Sequence, residues 1–169
     1  MPLVLNGDGN ITGLTPGGLP DASVTQSELA TGVAGTGPTF SAYLASSGGS
    51  ISSTTLTKVT FDTERWDTNS NFASSRFTPT VAGYYQINAA FQIAPVAPGF
   101  IEIYFNGSGY KRGAWNAANF QDMVVSGLVY FNGSTDYVEI YLYHTLGSAV
   151  TPQGGANISW FDGCLVRSA

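Results

Sequence analysis

The sequence predicts an all-β protein, a β-sandwich or jelly roll preceded by an extended N-terminal segment. Three observations carry this. From Phe40 onward apolar residues recur with period two, the spacing of strands that keep one face in a core. Turn-forming pairs such as Asn106-Gly107 and Asn132-Gly133 punctuate that pattern. Charged residues make up only 10% of the 169, against 21 glycines and 13% aromatics. That balance suits many short strands joined by tight turns, whereas a helical bundle needs Ala, Glu, Lys and Leu at helical spacing.

Residues 1–38 read as a separate, extended segment. They hold Gly7, Gly9, Pro16, Gly17, Gly18, Pro20, Gly35, Gly37 and Pro38, a density that favours a looped path. One short helix is expected at about 23–31, where Thr25 and Glu28 fit a capping box and Leu29 and Val33 share a face. So few apolar residues cannot bury a core alone, so the segment is expected to pack against its own copies or another protein.

Residues 39–169 read as the globular head. Strands are expected at Phe40–Ala45, Thr54–Phe61 and Phe72–Thr78. The clearest spans Gly83–Ile93, with Tyr85, Ile87, Ala89, Phe91 and Ile93 on one face and Tyr84, Gln86, Asn88, Ala90 and Gln92 on the other. Gly99–Phe105 follows, Ile101, Ile103 and Phe105 pointing inward. Residues 109–118 suit a short edge strand. Asp122–Phe131 is apolar on both faces, with Met123, Val125 and Val129 opposite Val124, Leu128 and Tyr130. A two-sheet sandwich buries one face of each sheet, so the second face is expected to need another subunit. Asp136–His144 sets Val138, Ile140 and Leu142 against Tyr137, Tyr141 and Tyr143, and a last strand covers Asn157–Arg167.

Composition narrows the function. The net charge is −5 with only six basic residues, so nucleic acid is excluded as a partner: phosphate neutralisation needs clustered Lys and Arg. No apolar run is long enough to span a bilayer, and the first residues lack the basic flank of a signal peptide. Cys164 is the single cysteine and has no partner for an intrachain disulfide. Synthesis in a reducing cytoplasm is expected.

Spaced residues in the middle of the chain point to a family. Phe61, Asp67, Phe72, Phe77, Gly83 and Tyr85 keep an ordered spacing, and Ser159-Trp160-Phe161-Asp162-Gly163-Cys164-Leu165 closes the chain. Together with Phe40–Tyr43, Ile101–Gly107, Ser126–Tyr130 and Asp136–Ile140, this set resembles the C1q-like domain, the trimeric jelly roll shared with the tumour-necrosis-factor family. The interval from Phe72 to Phe77 is two residues shorter than the family's, Ile87 and Ala89 stand where aromatics are usual, and no collagen repeat precedes the domain. The stretch Leu3–Leu14, followed by Gly18–Asp21, resembles the opening of short bacteriophage fibre proteins. The resemblance implies a homotrimeric head that attaches a virion to a host surface glycan or protein. It also implies that residues 1–38 anchor the chain to other virion proteins of tail or capsid. A capsid fibre or cementing knob that binds no receptor is the alternative.

Candidate site residues follow. Tyr110, Lys111, Arg112, Trp115 and Asn116 fall where strand periodicity is weak and contain the chain's only adjacent basic pair. Aromatic faces pack on sugar rings, and Arg and Asn hydrogen-bond hydroxyls or anions. Tyr110, Arg112, Trp115 and Asn116 are therefore expected at the receptor surface, with trimer contact or local packing as the other reading; Trp66 is a further aromatic candidate. Tyr137, Tyr141 and Tyr143, with Val125, are expected at the trimer interface. His144, the single histidine, is expected to be a packing residue on an apolar face. The pair Glu64 and Asp67 could serve a glycosidase, but no catalytic residue is assigned. Asp62, Glu64, Asp67 and Asp136 lack calcium-loop spacing, so neither metal nor cofactor is expected. Sequons at Asn10, Asn106, Asn132 and Asn157 are read as turn formers where glycine follows, and Cys164 as a small buried hydrophobe.

Overall fold

A computed structural model describes residues 4–5, 11–12, 37–117 and 122–169. The chain divides into two compact units, Met1–Ala30 and Thr31–Ala169. In the first, β1 (Val4–Leu5) pairs antiparallel with β2 (Ile11–Thr12), a two-residue ladder where no strand was expected. The helix expected at 23–31 lies outside the described residues.

The second unit is a sandwich of two six-stranded sheets. Its strands are β3 (Thr39–Tyr43), β4 (Thr57–Lys58), β5 (Thr63–Asp67), β6 (Phe72–Ala73), β7 (Arg76–Phe77), β8 (Gly83–Ala94), β9 (Gly99–Phe105), β10 (Ser108–Arg112), β11 (Asp122–Phe131), β12 (Val138–His144), β13 (Thr151–Pro152) and β14 (Trp160–Ser168). One sheet runs β10-β9-β12-β7-β6 with β4 also on β12; the other runs β11-β8-β14-β3-β5 with β13 also on β8. We call these the β9 sheet and the β8 sheet. Every pairing among the described strands is antiparallel, and chain neighbours such as β11 and β12 lie in opposite sheets, the crossing expected of a jelly roll.

The spaced aromatics of the sequence converge between the sheets. Phe40 stacks on Phe77 at 4.2 Å and on Phe72 at 5.1 Å, and meets Phe161 edge-on at 4.8 Å. Tyr85 meets Phe77 and Phe131 edge-on, and its buried hydroxyl donates to the Val81 carbonyl at 2.9 Å. Each such buried ring contributes about 2–3 kcal/mol. Asp67 closes the turn from β5 to β6, where its Oδ2 accepts the Phe72 amide at 2.7 Å and its Oδ1 the Asn69 amide at 3.4 Å. Gly163 must lack a side chain, because a Cβ there would stand 2.5 Å from the Phe40 ring.

Two hairpins have two-residue loops with positive φ at both positions, the type I′ geometry. Asn106 (φ 50°) and Gly107 (φ 79°) join β9 to β10 with the expected residues. Ser74 (φ 51°) and Ser75 (φ 58°) join β6 to β7, where serine is strained by roughly 1 kcal/mol or more per residue. Ser75 Oγ holds that turn by accepting the Phe61 amide at 2.9 Å.

On β11 the burial alternates strictly. Met123, Val125, Val129 and Phe131 enter the core, while Val124, Leu128 and Tyr130 are 62%, 47% and 45% exposed. Val125 therefore cannot serve as the interface residue expected of it, because its own chain buries it to 5% exposure. Cys164 also differs from expectation: Phe161, Gly163 and Leu165 point inward, so Cys164 stands exposed on the outer face.

Candidate functional site

The outer face of the β9 sheet carries most of the expected site residues. Across β9 and β12, Phe100 stacks on Tyr143 at 5.4 Å and Tyr104 on Tyr141 at 4.0 Å. Trp115 joins the first pair, 5.8 Å from Phe100 and 6.3 Å from Tyr143. The Arg112 guanidinium lies 5.0 Å above the Phe100 ring. Asn116 fixes the loop that holds Trp115, exchanging backbone hydrogen bonds with Gly99 at 2.7 and 2.9 Å. Arg112 and Trp115 thus form one patch with Phe100 and Tyr143, Trp115 standing 45% exposed.

Tyr110 is held apart from that patch. Its ring packs near Phe105, and its hydroxyl donates to the Leu128 carbonyl of the opposite sheet at 3.1 Å. Trp66 lies on the other sheet, its indole N–H donating to Thr39 Oγ1 at 3.4 Å.

The tyrosine stripe has partners within one chain. Tyr137 lies beneath the Arg76 guanidinium at 3.8 Å, and Tyr141 and Tyr143 stack as described. Burial, and then the Glu139 carboxylate, pushes the Tyr141 phenol above its ordinary value; burial and then Glu102 do the same for Tyr104. Both rings therefore remain neutral and polar at their tips.

Beside the stripe lies a constellation that sequence reasoning missed. Lys58 Nζ and Arg76 Nε donate to the same oxygen, Oε1 of Glu139, at 2.6 and 2.9 Å. The Glu139 side chain is 4% exposed, whereas those of Lys58 and Arg76 are 29% and 43% exposed. Burial opposes the charged carboxylate, but hydrogen bonds from Lys58 and Arg76 more than offset it and hold Glu139 below its ordinary value. The three residues lie 81 and 63 positions apart in pairs, so no local motif announces them.

The outer face of the β8 sheet has another character. Tyr84 and Tyr130 meet there with Val124, Leu128 and Val166, all exposed. A polar row crosses its middle, Ser126, Asn88, Asp162 and Ser41 standing side by side on β11, β8, β14 and β3. Ser126 Oγ donates to Asn88 Oδ1 at 2.8 Å. Ser41 Oγ and Asp162 Oδ1 are buried without a hydrogen bond of acceptable geometry, although the hydroxyl is near enough to favour the carboxylate. Burial dominates and raises the Asp162 carboxyl above its ordinary value, with Ser41 and Arg65 opposing.

His144 is fully buried, its Nε2 3.1 Å from the Ile51 carbonyl and its Nδ1 3.5 Å from the Leu146 amide. It is a packing residue, as expected. Asp62, Asp67 and Asp136 accept backbone amides from Ala45, Phe72 and Asn132 and so organise turns. Asn132 Oδ1 accepts the Ser134, Thr135 and Asp136 amides, as its turn-forming role requires.

The fold is that of the C1q and tumour-necrosis-factor jelly rolls. The globular domain of zebrafish complement 1qA protein superposes with a TM-score of 0.52 at 18% identity, over 78% of this chain and 99% of that one. Murine APRIL superposes with a TM-score of 0.54 at 7% identity, over 76% of this chain and 98% of that one. No protein-family description matches the chain, and no curated protein does.

Proposed function

We propose that the chain forms a homotrimer and acts as the receptor-binding head of a bacteriophage fibre, attaching the virion to a host surface glycan or protein. The observation that carries assembly is the outer face of the β8 sheet, where Val124, Leu128, Tyr84 and Tyr130 stand exposed together. Apolar faces of this kind mark contacts between chains, and three copies that each pack this face against a neighbour close into a ring. The stripe of Tyr137, Tyr141 and Tyr143 has partners in its own chain and stays on the outside.

The patch of Arg112, Trp115, Phe100 and Tyr143 supplies adsorption. A trimer carries 3 × −5 = −15 charges, so an anionic envelope is repelled except where a basic and aromatic patch offsets the field. Three copies on one surface add avidity. Residues 1–38, which resemble the start of phage fibre proteins, anchor the head to tail or capsid. Light scattering should return three times 17.7 kDa, and labelled trimer should decorate host cells. Trimer that enters virions yet leaves host cells bare would make it a capsid fibre or cementing knob instead.

A further inference from the structure

We propose that the hollow on the outer face of β6 and β7 binds the carboxylate of an acidic saccharide. The hollow has a volume of about 500 Å³ and is bounded by Lys58 and Arg76 on one side and by Ser70, Ser74, Thr78 and Thr80 elsewhere. That volume suits a small-molecule site. Ala73, exposed on β6, is part of its lining and adds no polar group to it.

Charge favours an anion there. Lys58 and Arg76 against Glu139 leave a surplus of one positive charge on a chain whose net charge is −5. Glu139 takes only Nε of Arg76. Among the described residues the two Nη groups donate to no protein acceptor, and they form the planar fork that matches a carboxylate. Stacking on Tyr137 and the bond to Glu139 fix the guanidinium before any ligand arrives. Lys58 Nζ spends donors on Glu139 and on the Ser74 carbonyl at 2.9 Å, and an ammonium has three.

The hydroxyls of Ser70, Ser74, Thr78 and Thr80 make a sugar, with its own hydroxyls, the fitting carrier of that carboxylate. The backbone agrees. Of the five non-glycine residues with positive φ among those described, Ser70, Ser74 and Ser75 line or support this hollow. Local strain concentrates where a ligand is held. The site is separate from the Arg112 and Trp115 patch and requires neither the trimer nor the virion.

Sodium glucuronate titrated into the full-length protein, followed by amide NMR, should shift Ser74, Arg76 and Thr78 saturably, while glucose leaves them in place. Arg76→Lys keeps a cation beside Glu139 but loses the fork, and should weaken glucuronate by about tenfold. Ala73→Leu adds bulk to the lining without touching the ion pair and should weaken glucuronate about tenfold. The proposal is overturned if no saturable shift occurs, if both variants bind as the parent does, or if inorganic phosphate binds as tightly as glucuronate.

Discussion

Tyr130 on β11 meets Tyr84 on β8 at 5.3 Å between ring centroids, outside the sandwich and 45% and 42% exposed. Two large rings packed together on this face leave apolar area open to solvent.

Assembly should therefore depend on the β8 sheet. Leu128→Glu places a charge at the centre of that face, where a contact would bury it unpaired. Light scattering at micromolar concentration should give a folded species of 17.7 kDa. Tyr141→Glu, on the other sheet, should leave the trimer intact. The reverse result would return the interface to the tyrosine stripe.

Adsorption should depend on Trp115. Its ring is 45% exposed, so Trp115→Ala should cost about 1 kcal/mol of stability or less and leave the trimer unchanged. Host-cell binding should fall about tenfold, because each of three sites loses a stacking face. Unchanged adsorption by both Trp115→Ala and Arg112→Ala would move the receptor surface elsewhere.

Glu139 should contribute an acid-sensitive share of stability. Its folded value lies below the ordinary 4.5, so the stabilisation is present above 4.5 and is lost as pH falls through the folded value. Glu139→Gln should destabilise by roughly 1–3 kcal/mol at pH 7, discounted for the exposure of its two cations. In thermal melts the gap between parent and variant should narrow below 4.5.

Asp162 should act in the opposite direction. Burial raises its carboxyl above 3.8, so the folded state holds the proton more tightly and the parent gains stability as pH falls through the raised value toward 3.8. Asp162→Asn should raise the melting temperature at pH 7, and that advantage should disappear near 3.8. A variant less stable at pH 7 would show that the ionised carboxylate is stabilised by more than Ser41 and Arg65.

Much of the fold was legible because strands β8, β9, β11 and β12 place apolar residues at every second position. Even the outward Val124, Leu128 and Tyr130 were correctly set against the inward residues of β11. The strand β5 escaped because its Thr-Glu-Arg-Trp-Asp run has no buried side chain; it forms because the ladder of β3 has an open edge to fill. Residues 54–61 were expected as one strand, yet only Thr57–Lys58 pair, since β4 and β7 share β12 as their neighbour. Within the candidate site, Arg112 and Trp115 were found through a local cluster. Phe100 was hidden inside a regular strand, and the Lys58, Arg76 and Glu139 set exists only after distant strands pair.

The hydroxyl of Tyr110 reaching the Leu128 carbonyl has a consequence for solubility. β10 and β11 are edge strands of opposite sheets on the same side of the sandwich. Carbonyls along such an edge can template a stranger's strand and seed fibrils. Tyr110 occupies one of them, and the chain at Gly113 lies so close over the Val124 carbonyl that no side chain fits between. Two carbonyls on the margin of the long apolar strand are thereby covered, while its face stays open. Copies crowded at high density can associate through that face into a closed ring, instead of adding edge to edge without limit.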